Sequence, residues 1–176
     1  MYKTLVGAVL AVSFVAAQQS PDVDAQTRIR AEVRDRIGAL PEFSVFDNIA
    51  FSVNGESVIL NGEVTRQSLA ASAERAITTI EGVERVVNRI EVLPVSPSDD
   101  RLRAALYDAI YGFAPLQHYA SPAIRSIRII VRNGIVTLTG FVDTDADRNL
   151  AAARVRTVHG VFSITNALAV SAVPTF

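Results

Sequence analysis

Apolar and polar positions alternate in the same way along two stretches of this chain that lie 78 residues apart (136 − 58 = 78). Val58-Ile59-Leu60-Asn61-Gly62-Glu63-Val64 returns as Val136-Thr137-Leu138-Thr139-Gly140-Phe141-Val142. A period of two is that of a half-buried strand. The match continues without a gap from Val58–Val92 onto Val136–Val170 through Ala73/Ala151, Gly82/Gly160, Val83/Val161 and Asn88/Asn166. Solenoid repeats recur every ~20 to 50 residues, so this longer spacing predicts two tandem small domains.

Each unit opens with a helical period. Ile29, Val33 and Ile37 lie at i, i+4 and i+8, and Leu102, Leu106 and Ile110 repeat the spacing. Two alternating runs joined by Asn54-Gly55 or Asn133-Gly134 then predict a hairpin, because both central positions of a type I′ turn need positive φ. In the second unit this sets Val131 opposite Val136, Ile129 opposite Leu138 and Ile127 opposite Gly140 on the core face. In the first, Glu56 reads as an extra residue that demands a longer loop. A second helix carries Leu69, Ala73, Ile77 and Ile80, or Ala151, Val155 and Val158, with N-caps expected at Thr65 and Asp143 and stops at Gly82 and Gly160. A third strand, Val83–Val92 or Val161–Val170, completes the unit. The right-handed crossover makes it parallel to the strand before the helix. The fold class is therefore α+β, with two tandem αββαβ modules, each a three-stranded mixed sheet with two helices on one face.

The expected domains are residues 26–93 and 99–171, joined by a stiff linker over 94–98 and flanked by tails at 18–25 and 172–176. Each unit is near the lower size limit for an independent core, so the two are expected to lean on each other. Before them, Lys3, an apolar run from Leu5 to Val15 and Ala16-Ala17 read as a signal peptide over residues 1–17, with Gln18 beginning the mature chain. Leu5 to Ala17 spans about 20 Å as a helix, short of a ~30 Å hydrocarbon core, and an uncleaved anchor is the alternative. The chain has no cysteine, which fits an exported, periplasmic protein stabilised by packing alone.

Charge separates the halves. Residues 26–93 hold eight Arg against ten Asp and Glu (8 − 10 = −2), and 99–173 hold eight Arg against six Asp (8 − 6 = +2). The overall formal charge of −1 gives no reason to expect nucleic acid as a partner.

The strand motif Val58–Val64 with Gly82-Val83-Glu84-Arg85-Val86-Val87-Asn88, and its copy Val136–Val142 with Gly160-Val161 and Asn166, resembles the BON domain family of bacterial envelope proteins. The resemblance covers nearly all of the chain after the leader. It implies an exported, non-enzymatic protein associated with phospholipid membranes and stress tolerance. The chain departs from that family's pattern in having no lipobox cysteine and no peptidoglycan-binding LysM unit, and in His159-Gly160-Val161-Phe162, where the family usually has a charged, valine-rich strand start.

Catalytic and metal motifs are sparse. His118 and His159 are the only histidines, and no nucleophile elbow or phosphate-cradling glycine loop occurs, so neither enzyme activity nor a cofactor is expected. Asp143-Thr144-Asp145-Ala146-Asp147 opens like a calcium loop, but Arg148 and Arg154 occupy the positions of its Gly and Glu, so it reads as a helix start.

Two binding surfaces are expected instead. Arg101, Arg103 and Arg125 beside the aromatic stretch Tyr111-Phe113-Leu116-Tyr119 would suit an anionic phospholipid surface, where rings sit at headgroup depth and Arg meets phosphate. The other reading of those apolar residues is that they cap a small core. Alternatively, an envelope protein or cell-wall partner would meet the open sheet faces, through Ile59, Arg85, Val87 and Arg89 in one unit and Arg128, Ile130 and Arg132 in the other. Ile59, Val87 and Ile130 also suit contact between the modules. Nothing in the sequence sets the oligomeric state.

Overall fold

A computed structural model describes residues 21–120 and 126–171. The signal-peptide reading, the 172–176 tail and Arg125 lie outside the described residues. The first unit comprises α1 (Pro21–Gly38), β1 (Asn48–Asn54), β2 (Ser57–Val64), α2 (Gln67–Thr78) and β3 (Arg85–Val92). The second comprises α3 (Pro97–Tyr111), a 3-10 helix over Ala114–Ala120, β4 (Ile127–Arg132), β5 (Ile135–Val142), α4 (Asp145–Arg156) and β6 (Ser163–Val170). Each sheet has three strands, ordered β1-β2-β3 and β4-β5-β6, with an antiparallel hairpin and a parallel crossover. Two αββαβ modules are thus present.

The helical stripes meet the inward strand positions. Ile29, Val33 and Ile37 of α1 share one buried cluster with Val53, Val58 and Leu60 of the sheet and Ala73 and Ile77 of α2. In the second unit Leu102, Leu106 and Ile110 join Ile129, Val131, Val136, Leu138, Ala151 and Val155. Both helices of a module therefore cover the same sheet face. The predicted register of the second hairpin holds: Val131 pairs with Val136, Ile129 with Leu138 and Ile127 with Gly140. Asn133 and Gly134 take φ of 52° and 76°, as a type I′ turn requires.

Several local expectations are corrected. The first hairpin is no longer than the second, since Asn54 pairs with Ser57 and leaves Gly55-Glu56 as the two turn residues. Gly55 alone of these has positive φ, which suits a turn with Gly at its first central position. The second helices begin later than expected, with Arg66 and Thr144 as N-caps. Thr144 accepts a bond from the Asp147 N–H, whereas Thr65 is committed elsewhere. These helices end at Thr78 and Arg156, before the glycines. Gly82 and Gly160, at φ of 85° and 96°, turn the chain toward the next strand. The linker is shorter than 94–98 because Pro97 starts α3, where its missing N–H costs nothing and the Ser96 side chain caps the Asp99 N–H. Likewise α1 begins at Pro21, within the stretch read as a tail.

The repeated Gly and Asn have structural roles. At Gly62 and Gly140, φ is 120° and 107°, and an added Cβ would lie 2.1 Å from the Asn48 carbonyl oxygen and 1.8 Å from that of Ser126. The bend admits no side chain. Asn88 and Asn166 each donate to a carbonyl in the preceding helix, Ala70 at 3.1 Å and Arg148 at 2.9 Å. Each thereby fastens the last strand to its helix.

Candidate functional site

The sheet-face residues of the second unit are occupied within the molecule. Arg128 Nη1 donates to the Ser44 carbonyl at 2.8 Å, and its guanidinium lies 4.3 Å from the centre of the Phe43 ring. Arg132 Nη2 reaches Glu91 Oε2 at 2.7 Å. The hydrogen bond to the Glu91 carboxylate is the main reason the Arg132 pKa is raised above its ordinary value. Ile130, on the same face between them, is buried. The Ile129 N–H donates to the Val45 carbonyl at 2.7 Å, and the Val45 side chain belongs to the core cluster of the second unit. The two modules therefore lean on each other through the 43–46 segment and the end of β3. The reading of Arg128, Ile130 and Arg132 as an open face for an outside partner is corrected. Alternation placed them on the face away from the helices, but the first module covers it.

The open edge of β4 is closed as well. Tyr111 donates its hydroxyl hydrogen to the Ile127 carbonyl, and Arg103 Nη2 donates to the Val131 carbonyl at 2.7 Å. An exposed edge strand invites pairing with other chains, and these side chains remove that option.

The aromatic stretch is core. Tyr111, Leu116 and Tyr119 are buried, Phe113 packs against the same cluster, and Arg103 is 6% exposed. Arg103 Nη1 also meets Asp100 at 2.6 Å. These residues cannot meet a membrane, and the lipid-contact reading of Arg103, Tyr111, Leu116 and Tyr119 is corrected. A two-layer module of this size needs large side chains to close the end of its core, and this segment supplies them. Tyr119 accepts from the Asp143 N–H at 2.8 Å and donates to Asp147 at 3.1 Å. Burial is the main reason its pKa is pushed up to about 12, with the Asp147 carboxylate adding to the effect and the Asp143 N–H opposing it. The His118 ring lies against this ring at 3.8 Å between centres, tilted by 42°, and reaches Asp143 at 3.5 Å.

The Asp143–Asp147 run forms the start of α4. Asp147 accepts from Thr144 Oγ1 and Tyr119, and Asp145 pairs with Arg148 at 2.8 Å. Among the described residues, no group of three or more His, Asp or Glu is placed to hold a metal ion. No described helix is long and apolar enough to cross a membrane.

Among the polar residues singled out from the sequence, Arg101, Arg85 and Arg89 remain exposed, with Ile59 and Val87 half-buried on the first sheet. Arg101 stands at one end of the second module, where three elements converge. Asp99, 2% exposed in the first turn of α3, accepts from the Asn133 N–H at 2.7 Å and the Gly134 N–H at 3.0 Å. The Gly134 carbonyl accepts from the Phe162 N–H at 2.8 Å. Helix start, hairpin turn and the 159–162 turn are thus tied together around an open concavity lined by Ser98, Arg101, Leu102, His159 and Phe162. On this fixed frame the Phe162 ring is 84% exposed.

In the sequence the Phe162 turn stands out only as a departure from the family pattern. The matching position in the first unit is Glu84 (162 − 78 = 84), which is also exposed. Both modules hold this turn by the same backbone bond, since the Glu84 N–H donates to the Glu56 carbonyl at 2.9 Å. One frame presents an acid and the other an aromatic ring beside Arg101.

A BON domain family model matches residues 25–94 and 115–172. No curated protein matches the chain. Among solved structures it is similar to CdsD, a structural protein of the type III secretion system of Chlamydia trachomatis, at 13% identity and a TM-score of 0.31, over 82% of this chain and 93% of that one. The C-terminal domain of CdsD matches at 12% identity and a TM-score of 0.28, over 80% of this chain and 96% of that one.

Proposed function

The chain belongs to the BON domain family, and from that premise we propose that it is a non-enzymatic binding module of the bacterial envelope that meets anionic phospholipid surfaces through the 159–162 end of its second domain. The observation that carries this reading is Phe162, a large ring 84% exposed on a turn tied to the α3 start and the hairpin. At a membrane interface such a ring would leave water for the headgroup boundary. Arg101 and His159 line the same concavity, and the second unit carries the excess of Arg. Each Arg near an anionic surface contributes about 1 kcal/mol. The acidic counterpart, with Glu81 and Glu84 at the same turn of the first unit, would be repelled by such a surface.

Flotation of the full chain with vesicles of phosphatidylcholine alone, or with added phosphatidylglycerol, tests the reading. The parent is expected to float with anionic vesicles and to lose that association in high salt. Phe162→Ser and Arg101→Ala should each weaken flotation without moving the melting temperature, because both side chains are exposed. If Phe162→Ser floats as the parent does, this end of the molecule is not the membrane contact.

A further inference from the structure

We propose that β6 is a self-association edge, through which two copies of this chain pair antiparallel about a two-fold axis into one six-stranded sheet. Each module has one outer edge on its crossover strand, β3 in the first and β6 in the second. The strands are matched at the 78-residue offset but treated differently. β3 carries Arg85, Arg89 and Glu91, all exposed. β6 reads Ser163-Ile164-Thr165-Asn166-Ala167-Leu168-Ala169-Val170, with no charge, proline or glycine. Charged side chains are the usual protection of an edge against pairing, and their absence over eight residues leaves an open template. The neighbouring outer face of β5 continues the uncharged surface with Ile135, 43% exposed, Thr137, Thr139 and Phe141, 41% exposed.

Self-pairing is the occupant that the charge pattern fits. For the helices of both copies to stay on one sheet face, outward residues must oppose outward residues. The two registers of fullest overlap then place Ala167 opposite Ala167, or Ala167 opposite Thr165. In either case a small neutral residue sits on or beside the axis. The same geometry on β3 would bring Arg89 against Arg89 or against Val87, so unit one is guarded where unit two is not. The backbone groups of Asn166 and Leu168 point outward from the edge. One of them, the Leu168 N–H, is held by Asn166 Oδ1 at 3.3 Å, a long bond that an inter-chain carbonyl can replace.

The charges of β3 can be transplanted, since Arg89 and Glu91 correspond to Ala167 and Ala169. Sedimentation velocity of the full chain across the micromolar range should show a concentration-dependent dimer, and Ala167→Arg with Ala169→Glu should shift it to monomer. The chain has no native cysteine, so Thr165→Cys with Ala167→Cys should give a disulfide-linked dimer on mild oxidation in either register, since Ala167 stands directly opposite Ala167 in one and Thr165 in the other, within disulfide reach. Arg89→Cys should not. The double-cysteine result decides the matter if the charged variant fails to fold. A parent that stays monomeric, a charged variant that dimerises like the parent, or a parent dimer without cross-linking of the double-cysteine variant overturns the proposal.

Discussion

The Asp47 carboxylate and the Tyr119 hydroxyl perform the same task in the two modules with different chemistry. Asp47, fully buried, accepts from the Thr65 N–H at 2.7 Å, and Tyr119 accepts from the Asp143 N–H at 2.8 Å. Thr65 and Asp143 are matched positions, 78 residues apart, at the exit from the second strand of each hairpin. Asp47 also takes the Ser44 N–H and hydroxyl and the Thr65 hydroxyl, so one carboxylate organises the loop whose next turn carries Val45 into the other module.

Asp47→Ala should therefore cost about 2 to 4 kcal/mol, since it leaves two half-buried backbone N–H groups without their carboxylate partner at about 1 to 3 kcal/mol each, only partly additive. Urea denaturation measures it. A loss below about 1 kcal/mol would mean that water reaches those groups.

Tyr119 makes stability depend on high pH. Its folded pKa, about 12, lies above the ordinary value of 10. The folded state thus favours the protonated ring. The contribution is complete below pH 10 and is lost between pH 10 and 12, where the unfolded chain releases the proton first. At about 1.4 kcal/mol per unit the loss reaches roughly 2 to 3 kcal/mol. Stability of the parent minus that of Tyr119→Phe, followed by denaturant titration over that window, should fall with pH. A flat difference would place the ring in water.

Gly140→Ala should destabilise by about 2 to 4 kcal/mol, combining a strained positive φ with a Cβ that overlaps the Ser126 carbonyl. Gly62→Ala should do the same in the first module against Asn48. Thermal melts of the two variants should shift alike. An unchanged midpoint in either would mean that the strand bend can relax.

Val45→Ala removes a side chain of the first module from the core cluster of the second. A cost of roughly 1 to 3 kcal/mol is expected for truncating a buried aliphatic residue. The informative readout is amide exchange at Ile129, whose N–H bonds to the Val45 carbonyl. Faster exchange along β4 together with slower-changing β1 and β2 would locate the loss at the module boundary. Uniform change over both modules would show a single cooperative unit.

The duplicated αββαβ order, the second hairpin register and the core faces of all four helices were legible from local rules. Period, turn chemistry and strand handedness act over a few residues and were unopposed by anything distant. The Asn-Gly of the first hairpin misled because two adjacent frames share one loop length, and pairing of Asn54 with Ser57 chose between them. Gly140 was legible as a core-facing glycine, but the Ser126 carbonyl that forbids a side chain there comes from the residue that leads into the neighbouring strand. Sequence alone left Tyr111 and Tyr119 equally suited to a membrane or to a core. Their burial depends on how the 114–120 segment folds back over Ile127 and Asp143, a choice made by long-range packing. Alternation put Arg128, Ile130 and Arg132 on the outer face of their sheet, and nothing local could say that Phe43, Ser44 and Glu91, more than 40 residues away, would cover it. Periodicity reports which way a side chain points; only the assembled chain decides what it meets.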